Sequence, residues 1–74
     1  MLNSLTAEAE SRCADLKKII LNFLKQNNCN YANLTRSVLS KYPQYYRSEV
    51  VAAISSLYSS RKIDLNYNEV LVLN

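Results

Sequence analysis

Seventy-four residues, 49% hydrophobic and 20% charged, with one Pro and no Gly, make one small domain with a single core and a formal net charge of +3. Two cysteines and no His cannot assemble a four-ligand thiolate or imidazole metal centre. Without Gly and His the chain also lacks a phosphate-cradling loop and the commonest general base near neutral pH, and its six carboxylates are scattered singly, so an enzyme, a metal and an organic cofactor are all argued against.

The opening stretch, MLNSLTAEAESR, carries acids where a secretory leader has a basic region, and no apolar run approaches the ~18 residues of a spanning helix. Secretion and membrane insertion are therefore not expected, the Asn33-Leu34-Thr35 sequon reads as chance, and the expected setting is the cytoplasm, free or nucleoid-associated. Leu16, Ile19, Ile20, Phe23 and Leu24 form the i, i+3, i+4, i+7, i+8 stripe of an amphipathic helix. Leu2, Leu5, Ala9 and Cys13 continue that stripe backward, so the helix starts near residue 6 or earlier, with Thr6 available as a cap, and stops in Asn27-Asn28-Cys29-Asn30. Cys13 and Cys29 then lie about 20 Å apart and stay free thiols.

A second helix runs from Tyr31 or Asn33 to Lys41, with Leu34, Val38 and Leu39 inward, Asn30 or Asn33 as cap, and Pro43 as terminator. A third opens at Ser48 or slightly earlier and runs through Ser60. Its inward face is Val50, Ala53, Ile54, Leu57 and Tyr58, and its outer face is Ala52, Ser55, Ser56 and Ser59. Beyond Arg61 the period falls to two: Ile63 and Leu65 alternate with Lys62 and Asp64, Asn66-Tyr67-Asn68 makes a turn, and Val70 to Leu73 is a second strand. The fold class is mainly α with a small β-hairpin, three helices followed by two antiparallel strands.

The run from Val50 to Ile63, Val-Val-Ala-Ala-Ile-Ser-Ser-Leu-Tyr-Ser-Ser-Arg-Lys-Ile, resembles the V-x-x-A-L-x-x-L-x-x-x-G-x-I habit of the winged helix superfamily, a variant of helix-turn-helix. The resemblance spans about residues 16–73. Where the superfamily has Gly in a left-handed conformation this chain has Arg61, so either Arg61 adopts that geometry at a cost of roughly 1 kcal/mol or the helix ends differently with Ser60 taking part.

The resemblance implies a transcription regulator that binds double-stranded DNA, with the third helix in the major groove and the hairpin, the wing, on the backbone or minor groove. Charge is distributed in three blocks: residues 1–15 carry −2, residues 16–47 carry +6 with no acid, and residues 48–74 carry −1. Arg36, Lys41, Arg47 and Lys62 are the candidate phosphate contacts, with Gln44, Ser48, Val51 and Ser55 nearest the bases and Tyr46 and Tyr67 as exposed aromatics beside them. Lys17, Lys18 and Lys25 read as a solvated helix face. The outer face of the third helix offers no Arg, Lys, Asn or Gln beyond Arg47, which suits an alternative, a winged helix protein–protein interaction module without DNA binding. Tyr42, Tyr58 and one of Tyr45 or Tyr46 are expected to cover the core.

Residues 1–15 are an N-terminal extension of the first helix and residues 16–74 the winged helix domain. Leu2, Leu5, Ala9 and Cys13 are the candidate dimerisation residues, with Leu21 at the edge, giving a homodimer that spaces two third helices for a two-fold site. No small-molecule substrate is evident, since so short a chain can hardly spare the ~300 Å³ of core that a ligand pocket needs.

Overall fold

The computed structural model describes residues 2–66 and 70–74, with side chains described from Glu8 onward. Helix α1 spans Leu2–Gln26, about 37 Å at 1.5 Å rise per residue. It starts ahead of Thr6, which therefore lies inside the helix and is not its cap. Leu16, Ile20 and Leu24, one stripe of the expected face, are fully enclosed, while Ile19 and Phe23 flank them half-buried. No residue before Leu16 is fully buried among those described: Cys13 packs half-buried against the core, and Glu8 to Ser11 are exposed beyond it.

The Asn-rich stop contributes an element that periodicity does not reveal. Cys29–Asn30 form a two-residue strand, β1, and Asn30 then turns the chain into α2 (Tyr31–Lys41), accepting the Asn33 N–H on its side-chain oxygen at 2.8 Å. Leu34 and Val38 are buried as expected. Thr35 joins them because its hydroxyl donates to the Tyr31 carbonyl at 2.9 Å, which satisfies the one buried polar side chain among the described residues. Tyr42 leaves the helix with its N–H still bonded to the Val38 carbonyl, directly before Pro43.

Helix α3 covers Arg47–Ser59 and buries Val50, Ala53, Ile54 and Leu57. Tyr58 departs from its expected inward position: it is 51% exposed. At 100° per residue Leu57 keeps closer to the centre of the buried stripe, and Tyr58 falls past its edge. Arg61 takes φ 63, the left-handed geometry of a Schellman closure. Its N–H reaches the Tyr58 carbonyl at 3.1 Å, and the Lys62 N–H reaches the Leu57 carbonyl at 3.0 Å. Ser60 takes part too, its hydroxyl donating to the Ser56 and Leu57 carbonyls at 2.9 and 3.2 Å.

β2 (Ile63–Leu65) and β3 (Val70–Leu73) form the expected antiparallel pair, with Asp64 opposite Val72. β3 is central, because β1 pairs with its other edge, Cys29 opposite Leu71. The sheet thus has three strands, one more than the hairpin alone. Ile63 and Leu71 are buried under the helices, whereas Leu65 stays 45% exposed. On the edge strand β2 the Asp64 carboxylate accepts the Leu65 N–H at 2.8 Å, occupying a donor that a foreign strand would otherwise use. No helix among the described residues is long and apolar enough to cross a membrane.

Candidate nucleic-acid interface

Helix α3 is fastened at its N-terminal end. Glu49, in the first turn, reaches back to accept the Tyr46 N–H at 2.9 Å, which supplies half of a capping box without a Ser or Thr cap. The same carboxylate receives Arg12 of α1 through Nε and Nη2, each at 2.8 Å. Arg12 also donates to the Gln44 carbonyl at 3.0 Å and lies 4.8 Å from the centre of the Tyr45 ring. The Arg12 hydrogen bond, followed by that of the Tyr46 N–H, holds the Glu49 carboxyl down at about 2, and Glu49 in turn raises Arg12 above its ordinary value. This clamp explains why Tyr45, and not Tyr46, is the tyrosine that covers the core beside Tyr42, leaving Tyr46 73% exposed.

The clamp is the one ion pair among the described residues. Arg36, Arg47, Arg61 and Lys62 are exposed with no carboxylate within 4.0 Å among those residues. Ser48, Val51 and Ser55 follow Arg47 at helical spacing on one side of α3, Val51 half-buried and the other three exposed. Gln44 is exposed just ahead of them. Lys41 is exposed at the α1–α2 seam, its ammonium 5.9 Å from the centre of the Phe23 ring and 6.0 Å from that of Tyr42. Tyr67 lies outside the described residues. No group of three or more His, Cys, Asp or Glu side chains able to hold a metal occurs among the described residues.

Beside Ser55 the surface opens into a groove of about 740 Å³ between the start of α2, the C-terminal half of α3 and strands β2 and β3. It is a surface feature and takes nothing from the core. Tyr31, Tyr58 and Leu65 line it at 39%, 51% and 45% exposure, over a floor that includes Ile54 and Leu71. A second hollow of about 560 Å³ shares Tyr58 and Ser59 with the groove and adds Arg61, Asp64 and Asn74. The groove does not follow from periodicity, since it joins α2, α3 and the sheet, which are far apart in the chain.

Of the candidate dimerisation residues, Ala9 is exposed, while Cys13 and Leu21 pack half-buried against the domain's own core. The side chains of Leu2 and Leu5 lie outside the described set. Cys13 and Cys29 are free thiols, and burial pushes the Cys29 thiol upward. No family model matches this chain, and neither the curated proteins nor the solved structures contain a match to it.

Proposed function

We propose that this chain is a winged helix domain that binds duplex DNA through the outer side of α3 as a small transcription regulator. The order helix, strand, helix, helix, strand, strand, with β3 between β1 and β2, supports the architectural part. The observation that carries the functional part is the contrast among arginines: Arg12 is neutralised by Glu49, whereas Arg36 and Arg47, with Lys62, stand exposed and unpaired among the described residues. Unpaired cations around the HTH-like helices α2 and α3 suit phosphates. Ser48, Val51 and Ser55 let α3 approach closely but offer few groups for base edges, so backbone contacts dominate and sequence discrimination is weak.

The test is the affinity for a blunt DNA hairpin over a range of salt. Three phosphate contacts give a slope of log K against log salt of about −2.7, and Arg36→Ala with Arg47→Ala removes about 1.8 of it. A flat salt dependence, or a slope unchanged by the two substitutions, removes the proposal. A second reading, a protein-interaction module on the same face, is favoured by the uncharged lining of the groove, and it predicts that flat salt dependence.

The proposal includes a homodimer joined along the overhanging half of α1, with Ala9 exposed there and the acidic residues Glu8 and Glu10 beside it. Sedimentation as a monomer at high micromolar concentration overturns this part. The proposed setting is the cytoplasm, free or nucleoid-associated, where two unpaired thiols stay reduced.

A further inference from the structure

We infer that Arg12 of α1 is a positioning residue for the proposed DNA contacts: through Glu49 and the Gln44 carbonyl it fixes the backbone that presents Gln44, Tyr46, Arg47 and Ser48. The inference rests on the duplex-binding reading and adds a residue that the reading does not use. Arg12 stands 37 residues before Glu49 in the chain and lies outside the helix pair that would meet the duplex.

The contacts converge on one short stretch. The guanidinium donates to both oxygens of Glu49 and to the Gln44 carbonyl and lies over the Tyr45 ring, while Glu49 accepts the Tyr46 N–H. Gln44, Tyr45, Tyr46 and Glu49 are each held at the backbone or the side chain, so the chain carrying Arg47 and Ser48 is fixed on both sides. An interface side chain that is ordered only on binding costs affinity. Ordering it beforehand removes that cost.

Charge separates this role from direct contact. The charge of Arg12 is met within the chain by Glu49, whereas Arg47 is exposed and unpaired among the described residues. Glu49 gives the two roles opposite signs. Its replacement by Gln raises the net charge by one above +3, and long-range electrostatics alone then predicts tighter binding to DNA. Positioning predicts weaker binding.

The experiment measures, by fluorescence anisotropy over a range of salt, the binding of a blunt DNA hairpin to the intact chain, Glu49→Gln, Arg12→Gln and the double variant, at a temperature where melting curves show all of them folded. Each single variant is expected to bind about fivefold more weakly with the salt slope unchanged, since no phosphate contact is lost. The double variant is expected to lose no more than the weaker single one, because both substitutions remove the same clamp. Without DNA, the amide resonances of Gln44 to Ser48 are expected to shift or broaden in Glu49→Gln while those of Leu57 and Leu71 hold their positions. Where Glu49→Gln does not fold, Arg12→Lys carries the test, for it keeps the net charge and lacks the fork: weaker binding supports the inference and unaltered binding overturns it. Glu49→Gln binding as tightly as the intact chain, or more tightly, overturns the inference and leaves the duplex-binding proposal standing. A salt slope about 0.9 shallower in Arg12→Gln also overturns it, by making Arg12 a phosphate contact in its own right. Additive losses in the double variant overturn it too, since the two residues then act separately. Failure of the intact chain to bind any hairpin removes the duplex-binding proposal and this inference together.

Discussion

The two ends of α3 are built on opposite terms. At the N-terminal end Glu49 satisfies a backbone donor, cancels the charge of Arg12 and brings Tyr45 under the guanidinium, while Arg47 and Ser48 stay exposed on the outer side. At the C-terminal end Tyr58 is half out of the protein, Arg61 sits in a left-handed conformation, and the nearby cations have no carboxylate among the described residues. The inner side of the N-terminal end fastens the helix to α1 through Arg12 and Glu49, and no such ion pair occurs at the C-terminal end among the described residues.

Substitutions along α3 sharpen that contrast. The largest effect is expected from adjacent residues of the same helix: Leu57→Ala removes a side chain 2% exposed and costs about 2–5 kcal/mol, most of the margin of so small a domain, whereas Tyr58→Ala stays within about 0.5 kcal/mol. Urea denaturation of the two variants checks this directly.

Next is the clamp. Glu49→Gln loses the ion pair and weakens the cap, and is expected to lower stability by about 1 kcal/mol, limited by the partial exposure of both partners. Its pH dependence has a definite sign. Folding depresses the Glu49 carboxyl from 4.5 to about 2, so its contribution is complete above about pH 4.5 and is lost as the pH falls toward 2. Thermal melting between these limits should show the intact chain losing stability relative to Glu49→Gln, with the two curves converging at the acid end.

The smallest effect is at the other terminus of the helix. Arg61→Gly relieves the β-carbon at positive φ and is expected to stabilise by about 0.5–1 kcal/mol in a melting experiment. A destabilised Arg61→Gly would mean that the side chain supports the closure in some other way.

The helices could be read from the sequence because burial imposes a 3.6-residue period, and Leu16, Ile20, Leu34, Val50 and Leu57 report it directly. The change of period after Arg61 exposed the strand pair in the same way. β1 escaped that reading: two residues, Cys29 and Asn30, are too few to show alternation, and their extended pairing depends on β3, some forty residues later. Arg12 and Glu49 are 37 residues apart, so no local spacing links them, and Tyr46 at the cap position hides the usual Ser/Thr-x-x-Glu signal. Tyr58 lies outside the buried stripe of α3 because that stripe is narrow and its edge falls between Leu57 and Tyr58. Of the interface, the Arg47–Ser48–Val51–Ser55 stripe followed from helical spacing, while the groove required α2, α3 and the sheet to meet.

The most direct test of the outer side of α3 is a nitrogen–proton chemical-shift titration of the labelled chain with a blunt DNA hairpin. The expected result is a set of perturbed amides at Arg36, Arg47, Ser48, Val51, Ser55 and Lys62, with the outer side of α1 at Lys18 and Lys25 undisturbed. Perturbation confined to Lys18 and Lys25 would contradict the account, because it would put the ligand on the face of α1 and leave α3 with no partner.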